Sequence, residues 1–196
     1  MKSERLKALT DGVIAVIITV MVLEMKPPQS AEPSALLAVF PVFLSYVLSF
    51  IYVAIYWNNH HHFFTLVPKV GSSTLWANFN LLFWLSLIPF STAWVGEHEL
   101  KPWPMAVYGG VLLACALSWY VMQQVIISGQ GEQSQLRRAL GGDWKGKLTP
   151  FLYLAGIALS FLWPAVGAIV YAGVAVLWLI PDRRVSGHVL RSDLEE

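Results

Sequence analysis

The sequence predicts an all-α polytopic membrane protein, and three observations carry that prediction. Hydrophobic residues make up 56% of the 196 and charged residues only 13%, where a soluble domain carries about 25% charge. Several uncharged runs are longer than a soluble core needs. Basic residues collect on alternate connections, as in a chain threaded back and forth across a bilayer. Strand alternation of the outer-membrane barrel type is absent, and each apolar run can satisfy its own backbone hydrogen bonds as a helix. Six transmembrane helices are expected, at about 4–25, 34–64, 73–95, 103–128, 148–163 and 165–180. They form one domain over 1–196, with connections too short to hold a soluble unit.

The first span opens with Lys2, Glu4, Arg5, Lys7 and Asp11, and then runs free of charge for 12 residues, Gly12 to Leu23, before Glu24. At helical rise that run covers about 18 Å. A helix facing lipid needs about 20 apolar residues to cross a core of about 30 Å. The segment is therefore expected to cross while shielded by other helices, and a shielded helix with charged ends usually lines something. On a 3.6-residue helix Leu9, Val13, Val16, Val20 and Leu23 fall within about 60° of Val16 and form one apolar stripe. For a helix chosen at random, such a stripe is more often packing than pore. Gly12 and Ala15 are small enough for close helix approach on an adjoining face. A cleaved signal peptide is the rival reading, but Asp11 interrupts its entry and Pro27-Pro28 stand where small residues would precede a cleavage site.

The second span carries Pro41 as a kink and ends in Trp57-Asn58-Asn59-His60-His61-His62. The third opens with Asn78 and Asn80 and ends around Pro89, which frees a carbonyl on the preceding turn and bends the helix. In the fourth, Val107-Tyr108-Gly109-Gly110 is only superficially like an ion filter. Its order is wrong and it lies inside an apolar span, so small-residue helix packing explains it better. Cys115, alone in mid-span, reads as packing, since one cysteine permits no disulfide within the chain. The fifth and sixth spans form a tight hairpin hinged at Pro164, and the polar stretch 129–147 before them reads as a loop. Trp94 and Trp103 suit an interfacial belt at the outer surface. With no internal repeat, a symmetric pore has to come from several copies of the chain.

An even number of spans puts both termini on one side. That side holds 11 of the 13 Lys and Arg, with only Lys26 and Lys101 opposite, so the termini are expected in the cytoplasm. The absence of a targeting extension points to a prokaryotic plasma membrane. Ionisable groups within a membrane protein are costly and default to functional candidates. Arg5 and Asp11 lie about 240° apart around a helix and cannot pair with each other. Either each finds a partner on another helix, at the level of Trp57, the histidines and the two asparagines, or both meet headgroups and water. Three consecutive histidines point about 100° apart and cannot chelate together, and the i, i+4 ligand spacing is absent. Neither a metal site nor a cofactor is expected.

Three segments carry a family resemblance. Arg5-Leu-Lys-Ala-Leu9-Thr10-Asp11 resembles the Arg-x-x-x-Phe-Ser-Asp signature of the family named for lysosomal transmembrane protein 175. Tyr56-Trp57-Asn58-Asn59-His60 resembles that family's second-span ending, and Asn80 through Thr92 its third-span pattern. The match is close over about the first 100 residues and topological beyond them. Leu9 and Thr10 depart from the usual phenylalanine and serine; Thr10 keeps the hydroxyl, while Leu9 loses an aromatic packing element. The resemblance implies a potassium-permeable channel without the usual selectivity filter, assembled as a homotetramer with the first helices around the axis. It places the pore constriction at Val16, Val20 and Leu23, with Thr19 as a hydroxyl-bearing layer.

The resulting expectation is a passive, modestly selective cation channel that closes by dewetting of an aliphatic bottleneck. Glu24 supplies either a ring of charge at the outer mouth or a loop salt bridge. Arg5, Thr10, Asp11, Trp57, His60 and Asn80 form a structural network near the inner surface and stay clear of the ion. The alternative is a proton-coupled or proton-conducting secondary transporter, with Asp11, Glu24 and the histidines as relay. Such proteins commonly show repeats and broken helices at the midplane, which the sequence does not display. A membrane enzyme would need acid, base and nucleophile clustered at one depth, and no motif supplies them. A purely structural scaffold is not distinguished by sequence.

Overall fold

The computed structural model describes residues 2–67, 69–98, 100–131, 134, 136–137 and 143–179. Its named elements are seven helices: α1 (Ser3–Leu23), α2 (Ala35–Thr65), α3 (Ser72–Leu85), α4 (Ile88–Glu97), α5 (Pro102–Gln130), α6 (Trp144–Leu162) and α7 (Pro164–Leu179). Among the described residues there is no strand, only one antiparallel bridge between Lys2 and Lys69. Four stretches are long and apolar enough to cross a membrane: α1, α2, the α3–α4 run Ser72–Glu97, and α5. The apolar α7 has 16 residues, about 24 Å at helical rise, and falls below that mark.

Local chemistry sets the boundaries. The α2 helix passes through Pro41 unbroken, and the Ser45 hydroxyl donates to the Pro41 carbonyl at 3.0 Å. The third span differs from the single bent helix expected: it divides into α3 and α4 across Ser86 and Leu87. Pro89 has no N–H for the Leu85 carbonyl, and Leu87 N–H turns back to the Trp84 carbonyl at 3.2 Å. Leu85, Ile88 and Pro89 flanking the break are buried, while Ser86 is exposed and its hydroxyl donates to the Phe83 carbonyl at 2.7 Å. The α6 helix begins four residues before the expected Leu148, because the Asp143 carboxylate caps it by accepting Gly146 N–H at 3.1 Å. The α6–α7 hairpin turns at Trp163, immediately before Pro164.

Two cores hold the bundle. One joins α1 (Leu6, Ile14, Ile17, Met21) to the end of α2, α3 and the second half of α5. The other joins mid-α2 and the start of α5 to α6 and α7, around Tyr52, Tyr108, Tyr153 and Tyr171. Close approach in the second core depends on glycine. A Cβ at Gly109 or Gly156 would collide with the Tyr171 ring, whose hydroxyl donates to the Met105 carbonyl at 3.2 Å. The Gly109-Gly110 pair thus belongs to helix packing. Cys115 is buried in the first core.

Candidate functional site: the first helix and its polar anchor

The α1 helix has two unlike faces. Leu6, Thr10, Ile14, Ile17 and Met21 are buried against α2, α3 and α4. About 100° around the helix, Leu9, Val16, Val20 and Leu23 are exposed, Val16 by 61% and Leu23 by 75%, with Val13 half-buried at the edge. A single chain therefore leaves the apolar stripe uncovered except at Val13. Thr19 flanks it and is exposed; its hydroxyl donates to the Ala15 carbonyl at 2.8 Å, so the oxygen lone pairs stay free. Glu24 follows at the C-cap, also exposed.

The buried face is fixed by a polar triangle near the start of the helix. Asn78 Nδ2 donates to Thr10 Oγ1 at 3.1 Å, Asn78 Oδ1 lies 2.9 Å from His60 Nε2, and His60 Nε2 lies 3.4 Å from Thr10 Oγ1. All three residues are buried, with Thr10 fully so. The His60 ring also stacks near Phe64, with centroids 4.5 Å apart. One turn away Trp57 Nε1 donates to Asp11 Oδ1 at 2.9 Å, giving the carboxylate its partner on another helix. Helices α1, α2 and α3 are thereby tied at one level by groups that lipid cannot satisfy.

Two residues expected in this network stand outside it. Arg5 is exposed and makes no hydrogen bond or ion pair among the described residues. The reason is angular: on an ideal helix Arg5 lies within about 20° of Val16, on the uncovered stripe. Asn80 points to a different neighbour, donating to Ser118 Oγ of α5 at 2.7 Å. Asn78, two positions earlier, occupies the place instead. His61 and His62 are exposed and take no part.

A second polar cluster escaped the sequence reading. Ser49 Oγ lies 2.6 Å from Thr92 Oγ1 and 3.0 Å from Tyr108 Oη, joining α2, α4 and α5. Thr92 and Ser91 both also donate to the Ile88 carbonyl, at 2.7 and 3.0 Å. The signal was present as hydroxyls within apolar runs beside Pro89, but no charge drew attention to them. At the opposite end of α1, Lys26 Nζ donates to Glu97 Oε1 at 3.0 Å. That bond and the carboxylate's charge raise the Lys26 ammonium above the ordinary lysine range. The pair therefore persists through neutral pH; it is lost as pH rises past that elevated value, or falls far enough to protonate Glu97.

Comparison with known proteins bears on this geometry. The family profile described as endosomal/lysosomal potassium channel TMEM175 matches residues 5–89, which contain the triangle and the whole stripe. A potassium channel of Chryseobacterium sp. (strain P1-3) is 46% identical over 185 residues, covering 94% of this chain and 96% of that one. A potassium channel of Chamaesiphon minutus (strain ATCC 27169 / PCC 6605) is 32% identical, covering 83% of this chain and 87% of the other. The crystal structure of a lysosomal potassium-selective channel TMEM175 homolog from Chamaesiphon minutus superposes with a TM-score of 0.79 at 28% identity. It covers 91% of this chain and 96% of that chain.

Proposed function

The chain belongs to the endosomal/lysosomal potassium channel TMEM175 family, and from that premise we propose that four copies conduct potassium passively between their α1 helices. The supporting observation is the uncovered stripe of Leu9, Val16, Val20 and Leu23 on a helix whose other face is already packed. The apolar run Gly12–Leu23 is too short to face lipid along that side, so a second, third and fourth copy cover it better than acyl chains do. Val16, Val20 and Leu23 then form rings that close by dewetting when the helices approach and re-wet when they tilt apart. Thr19 offers a ring of hydroxyl oxygens between those layers.

Selection is modest and rests on dehydration, because potassium gives up its water more readily than sodium. Glu24 concentrates cations at the mouth. The triangle of Thr10, His60 and Asn78 fixes the rotation of α1 and keeps clear of the ion. Arg5, on the stripe face at the inner end, meets a neighbouring copy or the headgroups. All six predicted spans cross, α6 and α7 as a thin peripheral hairpin, with both termini in the cytoplasm of a prokaryotic cell. Potassium ions pass as cargo, and no cofactor takes part. The relatives that match are named potassium channels, which leaves the transporter reading without support of its own.

Purified protein in potassium-loaded liposomes tests this directly. Passive potassium efflux is expected, faster than sodium efflux under the same gradient, and Leu23→Ser should raise both. Flux that saturates with substrate and drives a second species uphill would instead establish a transporter.

A further inference from the structure

At the end of the bundle that carries the N-terminus, the α2–α3 loop and the C-terminal turn of α5 enclose a crevice of about 480 Å³. Lys69, Gly71, Ser73 and Thr74 form one wall, and none of the described residues lining the crevice is acidic. The opposite wall has its polar groups committed: Ser128 donates to the Val125 carbonyl and Gln130 to the Leu66 carbonyl. The first wall does not. Helix α3 starts here with Gly71 at its N-cap and no side-chain cap, so its leading N–H groups lack partners within the helix. Thr74 lines the crevice and is only 7% exposed, and its hydroxyl makes no hydrogen bond among the described residues. At the rim Lys69 pairs through its backbone with Lys2. An uncapped helix start, a hydroxyl that reaches the crevice from a largely buried residue, and two neighbouring lysines together suit an anion.

The geometry points to a binding site for a phosphate group, held by the α3 N-terminus, Thr74 and Lys69. Phosphate suits the site better than a monatomic anion, because three oxygens can accept from the helix start, the hydroxyl and the ammonium at once. The crevice also exceeds the needs of the bare ion, leaving space for an organic substituent. That substituent has two possible sources, a soluble phosphate or the headgroup of an anionic lipid in the adjoining leaflet.

The test uses the full chain in phosphatidylcholine nanodiscs and follows its thermal midpoint. One arm titrates inorganic phosphate against chloride at matched ionic strength; the other incorporates phosphatidic acid in the discs. A rise in midpoint is expected in at least one arm. The concentration needed for half of that rise should increase about tenfold in Thr74→Val and in Lys69→Gln. Thr74→Ser, which keeps the hydroxyl, should respond as the parent does and guards against a variant that merely folds poorly. A response to inorganic phosphate assigns a soluble ligand, and a response to phosphatidic acid alone assigns a lipid. No rise in either arm, or an unaltered rise in both Thr74→Val and Lys69→Gln, overturns the proposal.

Discussion

The two faces of α1 are built from the same aliphatic residues and meet opposite fates. Ile14, Ile17 and Met21 are almost wholly buried within the chain, while Val16, Val20 and Leu23 are exposed. Hydrophobicity cannot sort them, since either set would serve as core. What sorts them is the polar anchor near the start of α1: Thr10 is on the first face and bonds to Asn78 and His60. A hydroxyl committed to two buried partners fixes the helix's rotation far more sharply than interchangeable methyl groups can. The exposed face is then whatever is left over, and in the proposed tetramer that remainder becomes the ion path. Specificity of orientation comes from a few polar groups, and the surface proposed to conduct follows from them.

Breaking the anchor should have the largest effect. Asn78→Leu removes two bonds and leaves Thr10 Oγ1 and His60 Nε2 only their long 3.4 Å contact with each other in a buried setting, where an under-satisfied group costs about 1–3 kcal/mol. Loss of about 3 kcal/mol in detergent, with the tetramer fraction falling in size-exclusion chromatography, is the expected outcome. Asn80→Ala, which removes only the bond to Ser118, should cost about 1 kcal/mol. Equal losses from the two substitutions would mean that the triangle has no special hold on α1.

The stripe should respond in the other currency. Val16→Ser and Leu23→Ser leave the packed face untouched, so stability should move by less than about 1 kcal/mol. Conductance should rise several-fold in each, with potassium preference over sodium weakened, because a polar ring stays wet at diameters where an aliphatic one dries. Single-channel recording in planar bilayers measures both quantities. Large unfolding without a change in current would assign the stripe to packing and invert the comparison between faces.

The sequence displayed much of this and hid a definite part. The apolar stripe was legible because periodicity survives any tertiary context. The break at Ser86–Leu87 was half legible: Pro89 announces a lost hydrogen bond, but whether a helix bends or divides depends on what buries the freed carbonyl. Arg5 and Asn80 were misplaced for one shared reason. Charge and amide content mark a residue as needing a partner, yet the direction of a side chain is set by helix rotation, which only the assembled bundle fixes. Asn78 and Asn80 differ by two positions and about 160°, and that angle separates the α1 anchor from a bond to Ser118. The Ser49–Thr92–Tyr108 cluster stayed hidden because single hydroxyls in apolar helices usually bond their own backbone, and nothing in the sequence shows three helices bringing them together.

The smallest effect should come from the carboxylates at the other end of α1, which offer a finer version of the same contrast. Glu97 is paired with Lys26, whereas Glu24 makes no ion pair among the described residues. A neutralised carboxylate contributes little field beyond its partner, while an unpaired one, repeated four times about an axis, concentrates cations at the entrance. Glu24→Gln should therefore lower potassium current about twofold at low ionic strength. The deficit should vanish near 1 M salt, where screening acts within about 3 Å. Glu97→Gln should leave current unchanged at every salt concentration, because an exposed pair of this kind holds little. A salt-sensitive deficit in Glu97→Gln and none in Glu24→Gln would move the mouth of the pathway away from the end of α1, and with it the axis on which the stripe has been placed.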